Sequence, residues 1–356
     1  MFARHPRLRA SARWGAAIWG VAAGAALLAA FAHPARADEV VNLYTSRHYD
    51  TDERLYTEFT EKTGIKVNRI EDSASALIAR IKAEGQNSPA DLFITADAGM
   101  LWAAGQEGLL SPVDSALLKE KIPETFRHPE GDWYGFSARA RIIFYDKARV
   151  APENVDTYEE LADPKNKGLV CTRSSGNIYM LSLMGAMIEH LGAEEAERWA
   201  AGLWDNRARE PAGGDTDQLK GIASGECGVA LANHYYFVRA FRLDVPGLRN
   251  PEDTSKIGVL FPNQDSWGAH LNISGAGVTV HAPNRENAVK FLEYLASPSA
   301  QAYFAAGNSE FPLVEGSDMV PELAALGTFK ADDLPLTKLG ENQAEAQRIY
   351  DRVGYR

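Results

Sequence analysis

The sequence predicts an α/β architecture in two lobes, on three observations. Short apolar strand-like runs alternate with helix-period stretches along the whole chain, the pattern of a layered α/β protein rather than an all-helical one. A strand, a polar loop and a helix recur in that order several times. The 356 residues, 45% of them apolar, suffice for two lobes with cores of their own. No low-complexity tract or internal repeat stands out.

The first 37 residues read as a removable export signal. Arg4, Arg7, Arg9 and Arg13 form a positive start without an acidic residue, an apolar stretch runs over 14–31, and Ala35-Arg36-Ala37 has the A-x-A cleavage pattern. A retained anchor is the alternative, since the stretch approaches spanning length. No twin-arginine pair occurs, which points to the general secretory route. No second hydrophobic span follows, so the mature chain is expected to be soluble and outside the cytoplasm. Cleavage removes five arginines and no acid, leaving 32 basic against 48 acidic residues, about −16. Such a surface argues against nucleic acid as a partner and suits a cationic ligand.

The mature chain opens with the apolar strand Val40-Val41-Asn42-Leu43-Tyr44, followed by a polar loop over 45–49. Asp50 and Glu53 stand at capping-box spacing, Leu55 and Phe59 lie one turn apart, and Gly64 is a stop signal. Residues 90–95 form a second strand, with a helix through 100–104. In the middle, 168–172 is a strand, 173–177 a loop and 178–191 an apolar helix; 227–231 is a strand, 232–234 a loop and 235–243 a helix. Sheets built from such units are mostly parallel, with right-handed crossovers, and bind ligands where loops meet helix N-termini.

Two runs read as crossings between lobes: 137–145, and 271–280 with Gly275 and Gly277. Pro283-Asn284 then opens a helix carrying Phe291, Leu292 and Leu295. The expected division is a signal over 1–37, an N-lobe of 38–137 plus 271–318, and a C-lobe of 138–270 plus 319–356. Two segments spanning one cleft permit hinge closure around a ligand. Cys171 and Cys227, the only cysteines, allow one disulfide in an oxidising compartment; two buried thiols are the other reading.

The strand-to-helix junctions carry an unusual residue for cleft loops. Tyr49 follows His48 after the first strand, Tyr179 follows the third, and Tyr235-Tyr236 follow the fourth. Ferric iron explains phenols there: it is a hard trivalent cation that prefers anionic oxygen. A free phenol ionises only near pH 10, and a trivalent ion supplies the charge that makes several phenolates tolerable. Helix N-termini favour the same anions. Other readings stay open from spacing alone: an aromatic strand end, or a binding protein for an organic or oxyanion ligand in which the tyrosines stack or donate hydrogen bonds. Tyr56, Tyr145, Tyr158, Tyr294 and Tyr303 read as packing residues. His48 is a nitrogen ligand or a loop histidine, and His234 a neighbour of the pair rather than a ligand. Arg139, Arg173 and Arg239 either hold an accompanying anion and balance phenolates or form surface salt bridges. A hydrolase has little support, because no G-x-S-x-G elbow, H-E-x-x-H helix or Walker loop occurs.

Four segments resemble motifs of bacterial periplasmic ferric-iron-binding proteins: Tyr44-Thr45-Ser46-Arg47-His48-Tyr49, Arg173-Ser174-Ser175-Gly176-Asn177-Ile178-Tyr179, Asn233-His234-Tyr235-Tyr236 and Asn272-Ile273-Ser274-Gly275-Ala276-Gly277-Val278. The likeness covers nearly all of the mature chain and is greatest to the cyanobacterial and Campylobacter-type branch. It implies a type II periplasmic-binding fold, no enzymatic turnover, and a monomer that delivers Fe³⁺ to an inner-membrane ABC permease and its ATPase. It puts the phenolate ligands on Tyr49, Tyr179, Tyr235 and Tyr236, with His48, water or a synergistic anion completing the site. One departure is His234, where the family often has a small polar residue.

Overall fold

One long strand organises the molecule. The computed structural model describes residues 39–47, 49 and 52–356; the expected export signal, His48 and Asp50 lie outside the described residues. Among these residues nine strands form one curled sheet: β1 (Val40–Thr45), β2 (Lys66–Glu71), β3 (Leu92–Thr95), β4 (Tyr134–Asp146), β5 (Val170–Cys171), β6 (Val229–Asn233), β7 (Ile257–Leu260), β8 (Leu271–Val278) and β9 (Phe311–Pro312). Their order is β2-β1-β3-β8-β4-β6-β5, with β7 and β9 also on β4.

β4 changes partner midway. From Tyr134 to Ala140 it pairs with β8, and from Arg141 to Tyr145 it pairs with β6. Two halves of the sheet therefore share one continuous backbone. The crossings expected over 137–145 and 271–280 correspond to β4 and β8, the latter ending two residues early at Val278.

The expected parallel character holds only in part. β1 pairs with β2 and β3 in parallel, and β5 with β6, but β3–β8, β8–β4 and β4–β6 are antiparallel. Local strand-loop-helix units predict parallel neighbours. The returning strand β8 enters between β3 and β4 from a distant part of the chain, which no local pattern encodes.

Alternation along the strands gives each half two apolar layers, as side chains of period two require. In the first half, Val41 and Leu43 pack with Leu55, Phe59, Phe291 and Leu292, while Tyr44 and Phe93 face Leu77, Ile81 and Leu101. In the second, Ile143, Val229 and Leu231 meet Met184 and Trp199; Ile142, Phe144 and Ala230 meet Leu219 and Phe237. The helix over Thr337–Glu341 touches both halves, since Gly340 lies under the Trp102 ring and the Leu339 backbone packs against Gly185.

Three local expectations are corrected. The first helix, Glu53–Thr63, has Asp52 at its N-cap position, and that side chain makes no cap hydrogen bond because Arg47 and Asn308 engage it. Gly64 does end the helix, with φ 74° in the left-handed region that only glycine enters cheaply. The third strand shrinks to Val170–Cys171. Residues 232–234 form no loop: Ala232 and Asn233 pair with Ile142 and Arg141, and the helix His234–Arg242 begins at once. By contrast, the helix read over 178–191 is found as Ile178–Leu191. A disulfide joins Cys171 to Cys227.

Candidate functional site

Three chain junctions bring the four tyrosines together. Tyr49 stands on the connection between β1 and the Glu53–Thr63 helix. Tyr179 is the second residue of the Ile178–Leu191 helix, whose N-cap Asn177 accepts the Tyr179 backbone N–H at 3.1 Å. Tyr235 and Tyr236 occupy the first turn of His234–Arg242, their ring centroids 4.4 Å apart. The Tyr179 and Tyr235 hydroxyls lie 3.3 Å from each other. Arg239 ties Tyr49 to the group: its guanidinium is 5.2 Å from the centroids of both Tyr49 and Tyr235, and 6.0 Å from that of Tyr236. Of the other tyrosines, Tyr56, Tyr158, Tyr294 and Tyr303 are buried in packing and Tyr145 half-buried.

Electrostatics here oppose spontaneous ionisation. Loss of water pushes the Tyr49 phenol up to about 12, with Tyr179 and Glu310 adding to the rise while Arg139 and Arg47 oppose it. Burial, then the neighbouring phenols, raises Tyr235, which is fully buried. Tyr236 rises through burial, Tyr179 and the Asp215 carboxylate. These three phenols are therefore neutral near pH 7 and can become anions only when a cation arrives to pay for them.

Cations surround the cluster. Arg139 is buried on β4, bonded to Ser274, the Ala96 carbonyl and Glu310, the last at 3.2 Å. Arg173 lies 5.4 Å from the Tyr179 ring centroid and 4.0 Å from Asp215. The structure thus gathers Tyr49, Tyr179, Tyr235, Tyr236, Arg139, Arg173 and Arg239 at one place. Arg139 is no surface residue: only 1% of it is exposed.

His234 is occupied. The Ala140 N–H donates to its Nδ1 at 3.1 Å, and its Nε2 donates to the Ser309 carbonyl at 3.0 Å. An N–H can only donate, so Nδ1 must carry the lone pair and Nε2 the proton. Burial pushes the imidazole down to about 4, which keeps it neutral. Both nitrogens serve the backbone at the point where β4 changes partner.

Several residues of the site were missed in the sequence. Arg47 lies 4.8 Å from the Tyr49 ring centroid and donates to both Asp52 oxygens, at 2.7 and 3.1 Å. Glu310 accepts from Arg47 at 3.3 Å and from Ser137 at 2.6 Å. Burial disfavours the Glu310 anion, but Arg47 and Arg139 overcome it and hold the carboxyl below its usual range. Arg141 and Asp215 form a second buried ion pair at 3.1 Å. A signal for Arg141 was present: Ala138-Arg139-Ala140-Arg141-Ile142 puts a second charge, two residues after Arg139, in an otherwise apolar strand. Nothing local marked Glu310 or Asp215. Among the described residues, no group of three or more His, Cys, Asp or Glu side chains could hold a metal ion. None of the described helices is long and apolar enough to cross a membrane.

Residues 54–331 match the family model for bacterial extracellular solute-binding proteins. The chain is 47% identical over 316 residues to iron uptake protein A1 of Synechocystis sp., covering 89% of this chain and 87% of that protein. It is 49% identical over 317 residues to iron uptake protein A2 of the same organism, with 88% and 90% covered. Among solved structures, it is similar to a Trichodesmium protein (IdiA, FutA) in complex with iron and citrate ligands, with TM-score 0.83, 49% identity, and 89% and 100% of the two chains covered. The ferric binding protein of Campylobacter jejuni gives TM-score 0.84 at 41% identity over 89% of this chain and 100% of that one. The motif resemblance is borne out by these relatives, and the curled sheet is the type II periplasmic-binding fold. The chain belongs to the family of bacterial extracellular solute-binding proteins.

Proposed function

We propose that this protein is the periplasmic solute-binding component of an ATP-driven iron uptake transporter, and that it holds Fe³⁺ through the phenolates of Tyr49, Tyr179, Tyr235 and Tyr236. The observation that carries this reading is the convergence of four phenols from three junctions, two of their hydroxyls 3.3 Å apart. Two adjacent ligands of one metal, each about 2 Å from it, stand about 3 Å apart. The relatives named for iron uptake and ferric binding support the same cargo.

Binding is an exchange of charge. Four protons leave the phenols, and the trivalent ion compensates four anions to within one unit. Arg47, Arg139 and Arg239 stabilise the excess negative charge, while Glu310 balances the two buried arginines beside it. His48, a water or an anion completes the coordination. A Trichodesmium relative carries citrate beside iron, and Arg173 and Arg239 are the groups that would receive a carboxylate from such an anion.

In this reading the N-lobe (38–137 and 271–318) brings Tyr49, and the C-lobe (138–270 and 319–356) brings the other three. Closure about β4 and β8 joins them around the ion, and contact with an inner-membrane permease and its ATPase favours reopening. The mature protein acts as a periplasmic monomer without catalytic turnover. Titration of the purified protein with ferric salt tests this. A visible phenolate-to-iron band saturating at one equivalent is expected; a colourless protein with unchanged stability overturns the proposal.

A further inference from the structure

The buried pair Arg141–Asp215 lies beneath the junctions that carry three of the four tyrosines, and the function proposed above leaves it without a role. Arg141 is 1% exposed and Asp215 fully buried. One Asp215 oxygen accepts the backbone N–H of Asn233, at 2.8 Å, immediately before the helix bearing Tyr235 and Tyr236. The same oxygen accepts Arg141 Nη1 at 3.1 Å. Nη1 also donates to the Asn233 side-chain oxygen at 3.1 Å, and Nη2 to the Leu231 carbonyl at 3.2 Å.

The other edge of that guanidinium faces the second ligand helix. Nη2 is 3.5 Å from the Met180 sulfur, in the first turn of Ile178–Leu191, and the guanidinium carbon is 5.8 Å from the Tyr179 ring centroid. One rigid, planar fork therefore spans the starts of both helices. A lysine could reach one of these partners but not hold all of them in a fixed plane.

We propose that Arg141, anchored by Asp215, is a positioning residue that sets the spacing of the Tyr179 and Tyr235 phenolates at the metal. This role rests on the iron-binding function proposed above. Groups that orient ligands without touching the metal commonly cost about 10–100-fold in affinity when changed. The expected signature is a change in both the rate of iron release and the energy of the charge-transfer band, because both depend on where the phenolate oxygens sit.

Four iron-loaded proteins are compared by release to a competing chelator and by visible absorption: wild type, Arg141→Lys, Asp215→Asn and Tyr134→Phe. Arg141→Lys should release iron at least about tenfold faster, with a shifted band. Asp215→Asn should move the same way, releasing iron faster than wild type with a shifted band, because it leaves the buried Arg141 guanidinium without its anion. Its amide oxygen still accepts from the Asn233 N–H, so its release should stay slower than that of Arg141→Lys. Tyr134→Phe removes a buried hydrogen bond to the Val113 carbonyl in the other half of the sheet and should release iron as wild type does.

Wild-type release and an unshifted band in Arg141→Lys overturn the role, as does equally fast release from Tyr134→Phe. If circular dichroism shows Arg141→Lys unfolded, the double variant Arg141→Met/Asp215→Asn, which leaves no buried charge without its partner, decides by the same two readouts. A wild-type protein with no band on adding iron instead sinks the proposed function itself, and this role with it.

Discussion

Tyr49 and Tyr235 share the Arg239 guanidinium, 5.2 Å from each ring centroid, yet the backbone beneath them is built differently. Tyr49 stands on a connection outside regular structure and is steadied by a side chain, Arg47, held in turn by Asp52 and Glu310. Tyr235 follows β6 without a loop, in the first turn of a helix whose preceding residue is fixed by Asp215. The second half of the sheet thus presents three phenols on two helix starts, already within reach of one another. The first half adds a single phenol, from a segment whose position depends on a charge network. A ligand held by both halves would therefore meet a preformed partial site and complete it with Tyr49, an arrangement that keeps most of the ordering cost out of the binding step.

The sharpest way to break that comparison is to remove the phenols of each half separately. Replacing Tyr235 and Tyr236 together by Phe keeps both rings and their packing, so folding should survive while iron affinity falls by orders of magnitude. Tyr49→Phe should weaken binding less and leave a coloured complex on the other three tyrosines. Competition against a chelator of known affinity, with thermal unfolding as control, measures both. If Tyr49→Phe abolishes colour as completely as the double change, the preformed partial site does not exist.

Acidity provides the next test. The phenols of Tyr49, Tyr235 and Tyr236 all lie above their ordinary range, Tyr49 at about 12, so each must surrender a proton to bind a metal at neutral pH. Apparent affinity should consequently drop as pH falls, by at least about tenfold per unit. Protons released on loading, read with an indicator dye, should decrease by one in Tyr49→Phe. Affinity that holds constant between pH 7 and 5 would mean that the ligands are not phenols.

How much of this was legible in the sequence follows from the range of the forces involved. The helix over 178–191 was readable to the residue, because an N-cap asparagine, an apolar run and a closing glycine are local signals. The four tyrosines stood out for the same reason, as the wrong residue type for cleft loops. What escaped were partners distant in the chain. Glu310 meets Arg47 across 263 positions and Arg139 across 171, and Asp215 meets Arg141 across 74. Arg139 and Arg141 carried a signal, since two charges inside an apolar strand cannot be buried without anions. Which anions they find is decided by the curl of the sheet. The antiparallel entry of β8 and the absence of a loop at 232–234 belong to the same class, set by pairing with β4 rather than by propensity.

The disulfide distinguishes stability from site geometry in the second half. It closes a loop with a sequence separation of 56, which the chain-entropy model values at about 4 kcal/mol. Replacing both cysteines by Ser should lower unfolding free energy by up to that amount in a denaturant titration. The iron band should keep its position, because Cys171 and Cys227 lie in the apolar layer with Leu219 and Ile222, a layer that Tyr236 only borders. A displaced band would show that the bridge also holds the 172–177 segment, and so Tyr179, in place.

Arg239 is the group common to both halves, and the smallest effect is expected from it. Its guanidinium faces three tyrosine rings from 5.2 to 6.0 Å, and it is only partly buried. Among the described residues no carboxylate forms a salt bridge with it, so its charge acts on the phenolates undivided. Water and salt screen a charge in that setting, which limits its effect to about 1 kcal/mol, or roughly fivefold in affinity. Arg239→Gln should show that loss at low ionic strength and less of it in high salt, and Arg239→Lys should recover part of it. Arg47 and Arg139 sit behind the same tyrosines but are buried and matched by Glu310, so salt should not reach them. If Arg239→Gln instead costs as much as losing Tyr49, and does so at every salt concentration, Arg239 is anchoring the Tyr49 segment to the other half. The two halves would then be joined at the site before any ligand arrives.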